Sequence, residues 1–236
     1  MPSLQVFLRG YLLALQGATR LPLAATLARW PAASGDAPSA PHLPGVGLLV
    51  GVVACVVLAV ASLPLPDTDG SALVAALLST IATVLLTGAL HEEALARSVQ
   101  QDGTGARGTL ALLLVVGTKV ALLAVLASQS AAGVLAALLA GHAVSRLWPL
   151  VLGAAQRPAE RGGLAIGALW CLPALLLMLT AGGPAFVLAA LAASGLAFVV
   201  LARRQRLQAL GAGSLGAIQQ VCEAAFYLGA AFGLRG

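Results

Sequence analysis

Long apolar runs that carry few charges constrain the fold of this chain more than any other feature. They cover approximately 43–63, 72–90, 109–127, 132–152, 164–180, 185–202 and 215–233. A run of roughly 20 apolar residues is the length that an α-helix needs to cross the hydrocarbon core of a bilayer. The sequence therefore predicts an all-α fold, a polytopic transmembrane helical bundle with about seven membrane-spanning helices.

Composition excludes a soluble globular protein. Hydrophobic residues make up 60% of the chain and charged residues 9%, whereas soluble domains are about 45–50% apolar. The net charge of +5 is interpreted as a topology signal in a membrane protein, so the expected partner is the lipid bilayer and not nucleic acid. The three cysteines lie inside apolar runs without metal-ligand spacing, which predicts buried small hydrophobes.

The first 42 residues differ from the rest. An apolar run broken by Arg9 and Gln16 predicts an interfacial N-terminal helix, and four prolines within 20–42 predict a loop. No later stretch outside the spans is long enough to fold alone. We therefore expect one integral membrane domain over 1–236, with the transmembrane bundle in 43–236.

Arginines are distributed unequally between the connections. If the N-terminus is cytoplasmic, nearly all of them lie on the cytoplasmic side, as the positive-inside rule expects. They are Arg9, Arg20, Arg29, Arg97, Arg107, Arg157, Arg161, Arg203, Arg204 and Arg206. This orientation places the segments 85–108, 153–163 and 203–214 on one face, and a site built from them would open to the cytoplasm.

Segment 85–108 is the strongest candidate site, because an otherwise apolar chain collects acids and bases there. Its ionisable residues are His91, Glu92, Glu93, Arg97, Asp102 and Arg107. Within the spans, Lys119, His142, Arg146 and Glu223 stand out, since a charge near the bilayer centre costs at least about 2.5–3.5 kcal/mol. Lys119 and Glu223 could form a structural ion pair or serve function, and Arg146 could clamp a phosphate bidentately.

Two chemistries fit these residues. One is a membrane transferase that holds Mg²⁺ on carboxylates and neutralises a phosphorylated substrate with arginines. The other is a transporter or channel, with Lys119, His142, Arg146 and Glu223 along an ion or proton path. Charge concentrated at the membrane edge favours the transferase.

Several short motifs in fixed order resemble those of a known family. They are TRLP at 19–22, PGVGLLVG at 44–51, TGALHEEA at 87–94, TGARG at 104–108 followed by Lys119, SR at 145–146, ERGGL at 160–164, and LGA at 215–217 followed by Glu223. Together they resemble the cobalamin synthases, or adenosylcobinamide-GDP ribazoletransferases, almost end to end. The family consists of polytopic enzymes of the bacterial inner (cytoplasmic) membrane.

The resemblance implies an activity and roles for the candidate residues. The expected reaction transfers α-ribazole, or its 5′-phosphate, to adenosylcobinamide-GDP and releases GMP, with Mg²⁺ as cofactor. It is the last step in assembling the nucleotide loop of cobalamin (vitamin B12). Glu92, Glu93 and Asp102 would hold the metal; His91, Glu93 and Arg146 would be catalytic; Arg20, Arg107, Lys119 and Glu223 would bind substrate. A homo-oligomer is also compatible.

The acidic motif is shorter here than in the family. Family members place two further acids after the one that corresponds to Glu93, whereas here 94–98 read ALARS. Well over a dozen residues are missing before the glycine turn, and the last loop lacks an aspartate before 215–217. The alternative function is therefore a catalytically impaired or non-catalytic homologue that binds a corrinoid or a partner. A small-molecule or ion transporter is the third.

Overall fold

A computed structural model describes residues 4–28, 39–66, 68–100, 105–157, 161–205 and 212–234. Within these ranges every regular element is helical, which confirms the all-α prediction. The helices are α1 (Leu4–Ala18), α2 (Ala24–Ala28), α3 (Leu43–Ser62), α4 (Asp69–Thr87), α5 (Leu90–Val99), α6 (Ala106–Gln129), α7 (Ala131–Gln156), α8 (Gly162–Gln205) and α9 (Ala212–Gly233). A 3₁₀ turn at Ala40–His42 leads into α3.

Five of the described helices are long and apolar enough to cross a membrane. They are α3, α4, α6, α7 and α8, and they make the chain a multi-pass membrane protein. Helix α8 has 44 residues, which is about 66 Å of helix and twice the thickness of a bilayer core. It covers both predicted spans at 164–180 and 185–202.

Helix α8 reverses direction at Gly183. The backbone there has φ 75° and ψ −175°, a combination that only glycine adopts readily. Gly167 in the first half packs against Leu150, while Ser194 in the second half accepts a hydrogen bond from the Trp148 Nε1 at 2.8 Å. A straight helix would separate Gly167 from Ser194 by about 40 Å. The two halves therefore form an antiparallel hairpin, as the two predicted spans require.

Helix α9 lies inside the bundle, where it contacts α5, α6, α7 and α8. Its buried side chains include Gln219, Gln220 and Glu223, so its composition is less apolar than that of the five candidate spans. These three polar side chains are buried against other helices, which explains how α9 is accommodated within the bundle. The number of crossings, about seven, stays a prediction.

The second predicted span was extended too far. The sequence predicts a helix over 72–90, but α4 ends at Thr87 and the chain turns through two left-handed residues, Gly88 (φ 65°) and Ala89 (φ 58°). The Ala89 N–H donates to the Val84 carbonyl and the Gly88 N–H to the Leu85 carbonyl, which closes α4 in a Schellman arrangement. The residues after the turn form the separate helix α5.

Close contacts define two ends of the bundle. At one end, which we call the site end, Gly216 near the start of α9 faces His91 and Ala94 of α5, and Gly108 at the start of α6 faces the Ala96 carbonyl. At the opposite, far end, Leu234 packs on Gly133 near the start of α7. The described arginines of the connecting segments lie at the site end: Arg20, Arg97, Arg107, Arg157, Arg161, Arg203 and Arg204.

Helix α1 docks on the bundle through aromatic rings. Phe7 and Tyr11 stack on Trp170 of α8, with ring centroids 5.9 and 5.3 Å apart, and His42 meets Phe7 edge to face at 4.6 Å.

The C-terminal half of α1 packs on α3 through aliphatic side chains. Ala14, Leu15 and Ala18 contact Val46 and Val50. With 15 residues, α1 is shorter than a bilayer crossing, and its interfacial position stays a prediction.

Candidate active site

The two adjacent glutamates of α5 lie on different faces of the helix. Glu92 is buried, and its Oε1 accepts a hydrogen bond from the Gln220 Nε2 at 2.8 Å. Glu93 lies outside, 3.5 Å from the Arg97 guanidinium, with side chains 60% and 65% exposed. An ion pair this exposed contributes little stability. The structure therefore makes Glu92 the carboxylate that faces the bundle, while the metal and catalytic roles of Glu93 stay predictions.

His91 lies where α5 meets α9. Gly216 permits this approach, because a Cβ at that position would lie 3.4 Å from the His91 Cα and closer still to the Ala94 side chain. The imidazole Nε2 is buried and makes no hydrogen bond within the described residues. Burial, and next the positive charge of Arg146, lower the pKa of His91 to about 3. The imidazole is consequently neutral at physiological pH.

Lys119 and Glu223 form an ion pair deep in the bundle. The Lys119 Nζ lies 2.7 Å from the Glu223 Oε1, and both side chains are more than nine-tenths buried. The Tyr227 hydroxyl donates to the same oxygen at 3.1 Å. His142 Nδ1 is 3.4 Å from it but lacks hydrogen-bond geometry. The structural pairing left open by the sequence is thus present, and any binding role for the two residues stays a prediction.

Gln220 joins this ion pair to α5 and was not among the residues predicted from the sequence. Its Oε1 accepts from the Lys119 Nζ at 3.0 Å, while its Nε2 reaches Glu92. A signal for it existed: 219–223 read QQVCE inside an apolar helix, and buried polar groups need partners. Position 220 lies three residues before Glu223 and hence on the same helical face.

Arg146 is a buried cation without a carboxylate partner. The side chain is 2% exposed, and its Nη1 donates to the His142 carbonyl at 2.7 Å. Within the described residues no carboxylate oxygen lies within 4.0 Å of it, and its Nε makes no hydrogen bond. Burying an unpaired guanidinium is costly, so this residue is poised to receive an anion.

Arg20 lies across the turn between α4 and α5. Its backbone N–H donates to the Leu86 carbonyl at 2.8 Å, and its side chain passes over Gly88 so closely that a Cβ there would collide with it. The left-handed glycine is therefore required twice, by its backbone conformation and by this contact. Arg20 is exposed and lies beside the site without being buried in it.

The remaining predicted residues are less well placed. Arg107 is exposed in the first turn of α6 at the site end. Asp102 lies outside the described residues, so its role as a metal ligand stays a prediction. His142, named earlier among the charges within the spans, lines the same interior as Lys119 and Glu223.

A stripe of hydroxyls on α4 faces these charges. We call Ser79, Thr80, Thr83 and Thr87 the hydroxyl stripe; each is buried, and each donates its hydrogen to a backbone carbonyl at 2.8–2.9 Å. Their oxygens consequently offer only acceptor positions to the interior. A cavity of about 10 Å³ lies between the first three hydroxyls of the stripe and Lys119, His142 and Glu223, and it is closed by Leu123 and Leu138. That volume matches a single water molecule.

The described residues provide one candidate ligand for Mg²⁺. They contain no cluster of three His, Cys, Asp or Glu side chains suited to a metal. Glu92 Oε2 is nevertheless a buried carboxylate oxygen without a hydrogen bond in that part of the chain. Mg²⁺ is commonly bound by one or two carboxylates together with substrate phosphates. The donor chemistry therefore fits an ion completed by substrate.

Comparison with known proteins gives consistent relatives. The family model described as cobalamin-5-phosphate synthase matches residues 10–99 and 97–231. The chain is 38% identical to an adenosylcobinamide-GDP ribazoletransferase of Albidiferax ferrireducens, covering 97% of this chain and 99% of the relative. It is 40% identical to one of Polaromonas naphthalenivorans with the same coverage. No solved structure matches.

The comparisons also agree with a shortened segment after α5. The alignment with the Albidiferax protein extends over 280 positions, although this chain has only 236 residues. The two parts of the family match meet at residues 97–99, which is the C-terminal end of α5. This is where the sequence predicts that residues are missing before the glycine turn.

Proposed function

The chain belongs to the cobalamin-5-phosphate synthase family, and we propose that it is an adenosylcobinamide-GDP ribazoletransferase. It transfers α-ribazole, or α-ribazole 5′-phosphate, to adenosylcobinamide-GDP and releases GMP, the last step in assembling the nucleotide loop of cobalamin. Relatives with this name cover almost the whole chain at 38–40% identity. Apolar surroundings at the membrane suit a bulky corrinoid substrate.

The reaction is a displacement at phosphorus. An oxygen of the ribazole substrate forms a bond to the phosphorus on the cobinamide side of the diphosphate, and the bond to the GMP oxygen breaks. Negative charge grows on the leaving phosphate, so cationic donors already in place stabilise the transition state. When the nucleophile is a hydroxyl, its proton must pass to a base.

Arg146 carries the proposal. It is a buried guanidinium without a carboxylate partner in the described chain, and its fork geometry suits phosphate oxygens. An anionic substrate would supply the missing counter-charge. Arg20, exposed at the α4–α5 turn, and Arg107 at the start of α6 lie at the same end and can bind outer phosphate oxygens.

Glu92 is the best-placed group to accept a proton. Its Oε2 is buried and makes no hydrogen bond in the described chain, while Oε1 is held by Gln220. Neutral His91 next to it can orient the nucleophile through its unbonded Nε2. Mg²⁺, held by Asp102 and substrate oxygens, would supply charge neutralisation at the phosphates. Glu92 Oε2 can be either a metal ligand or a proton acceptor, and we assign it the second role.

Location and partners follow from the same arrangement. We propose the bacterial inner membrane, with the N-terminus and the site end in the cytoplasm, because the described arginines of the connecting segments gather at that end. Nucleotide-linked substrates are also cytoplasmic. A homo-oligomer stays a prediction.

The shortened segment after α5 favours a second candidate, a weakly active or non-catalytic homologue that binds a corrinoid. Both are tested by incubating purified protein with adenosylcobinamide-GDP, α-ribazole and Mg²⁺, and measuring cobalamin and GMP by chromatography. We expect both products in equal amounts. The Polaromonas naphthalenivorans relative serves as the positive control. If the relative turns over and this chain does not, the transferase proposal is wrong and corrinoid binding is measured instead.

A further inference from the structure

A continuous chain of polar contacts runs from the centre of the bundle to α5. It begins at Glu223, passes through Lys119 at 2.7 Å and Gln220 at 3.0 Å, and ends at Glu92 at 2.8 Å. All four side chains are at least nine-tenths buried. Three helices, α9, α6 and α5, are linked by it. Of these four linked side chains, Gln220 alone is an amide.

The chemistry of the neighbours fixes the orientation of the Gln220 amide. Lysine has donors and no acceptor, so the amide oxygen must face Lys119. An ionised carboxylate has acceptors and no donor, so the amide nitrogen must face Glu92. Glutamine is suited to this position because it offers one acceptor and two donors on a planar group. A glutamate here would repel Glu92, and an apolar residue would leave both charges with one partner fewer.

The hydrogen bond from Gln220 restrains the orientation of the Glu92 carboxylate. With Oε1 held at 2.8 Å, the carboxylate cannot rotate freely, and Oε2 remains without a hydrogen bond in the described residues. His91 Nε2 on the preceding residue is unbonded as well. Partners that orient a functional group in this way typically matter about 10–100-fold for activity or metal affinity.

We propose that Gln220 is a positioning residue. It is fixed by the Lys119–Glu223 ion pair, and through its hydrogen bond to Glu92 it holds the Glu92 Oε2 toward the substrate. This inference rests on the proposed function, since Glu92 acts there as proton acceptor. Gln220 itself touches neither substrate nor reacting atoms. Its contribution therefore exists only while Glu92 is present.

The neighbouring Gln219 provides a matched control. The two glutamines are 3% and 2% exposed and lie on the same helix turn. Gln219 Nε2 makes no hydrogen bond within the described residues. Replacing either by methionine preserves approximate volume and removes the amide. The two variants therefore differ chiefly in that only Gln220→Met removes the hydrogen bonds to Lys119 and Glu92.

The test is a double-mutant cycle in kcat and KM for adenosylcobinamide-GDP, with wild type, Gln220→Met, Glu92→Ala and the double variant. We expect Gln220→Met to lower kcat roughly 10- to 100-fold with KM changed less than about threefold. In the Glu92→Ala background the same change should cost less than about twofold. Gln219→Met should stay within about twofold of wild type. Independent, multiplicative losses would overturn the proposal.

Infrared difference spectra of the same four proteins, together with Gln219→Met and its double variant with Glu92→Ala, give a readout that needs no activity. Subtracting the Glu92→Ala spectrum from wild type isolates the Glu92 carboxylate stretch, and repeating this in the Gln220→Met background shows whether that band moves. We expect a shifted band with Gln220→Met and an unchanged one with Gln219→Met. An unshifted band contradicts the inference, even if wild type proves inactive and the proposed function fails. Melting temperatures identify any variant that does not fold.

Discussion

The two ends of the bundle differ in what they offer a ligand. The far end has the larger cavity, about 530 Å³ between α3, α4, α6 and α7, but in the described chain its lining is apolar apart from serine and threonine hydroxyls. Deeper in the bundle from the site end lies a cavity the size of one water molecule, lined in part by Lys119, His142 and Glu223. Charge and unsatisfied hydrogen-bonding groups, more than available volume, identify where phosphate chemistry can take place.

The largest expected effect concerns the ion pair below the site end. Lys119→Met leaves Glu223 buried without its 2.7 Å partner, and breaking such a pair costs about 3–5 kcal/mol. Denaturant or thermal unfolding in detergent measures the loss. As a control, Glu223→Met combined with Lys119→Met removes both charges and should recover much of the stability. A single variant as stable as wild type would show that the pair contributes nothing.

The second prediction addresses the unpaired cation. Arg146→Lys keeps the charge but loses the planar fork, so kcat should fall roughly 100-fold, comparable to removal of a transition-state donor. Steady-state formation of GMP is the measurement. Arg97→Lys changes an exposed arginine of the same end and should remain within about twofold. Equal kcat for the two variants would contradict a role for Arg146 in the active site.

The third prediction tests the far end as a structural region. Gly183→Ala places a side chain at φ 75°, and we expect about 2 kcal/mol of destabilisation because such backbone is nearly exclusive to glycine. No atom lies within 4 Å of the added Cβ, so the cost is conformational. Gly117→Ala, equally uncrowded but helical, is the control and should not destabilise. The activity per folded molecule should be unchanged in both.

The smallest effect is expected from filling the far cavity. Ala72→Leu adds apolar volume to its lining, and kcat and KM should change less than about twofold because no reacting group lies there. The corresponding change at the site end, Ala94→Leu, would push α5 from Gly216 and should reduce activity strongly. If Ala72→Leu abolished turnover instead, the far cavity would be part of the active site.

Much of the fold follows from hydropathy alone. The apolar runs at 109–127 and 132–152 lie inside α6 and α7, because a single apolar segment of this length can satisfy its own backbone hydrogen bonds in a bilayer only as a helix. The hairpin in α8 was predicted from the two separate apolar runs at 164–180 and 185–202, and Gly183 supplies the required backbone conformation. Helix α5 was not separated from α4, since TGAL reads as continuous apolar helix and the left-handed pair at Gly88 and Ala89 includes an ordinary alanine.

The residues proposed for the candidate site follow from the sequence, whereas the directions of their side chains do not. Sequence placed Glu92 and Glu93 together, but their faces depend on how α5 rotates against α9. That rotation is set by the close packing of Ala94 on Gly216, a contact between positions 122 residues apart. Gln220 was missed for the same reason, because a buried amide reveals its role only when the charges on either side of it are known.

The layer of side chains beyond the small cavity has a consequence for access through the bundle. Polar groups extend from the site end as far as Ser79, and beyond them Ala75, Ala76, Leu123, Leu126 and Leu138 are at most 2% exposed. These side chains offer no hydrogen-bonding groups, and a buried water needs two or more polar partners to remain. Within the described chain, this apolar layer therefore separates the buried charges from the far cavity, so a substrate bound at the site end meets hydrocarbon side chains before it could reach the opposite end.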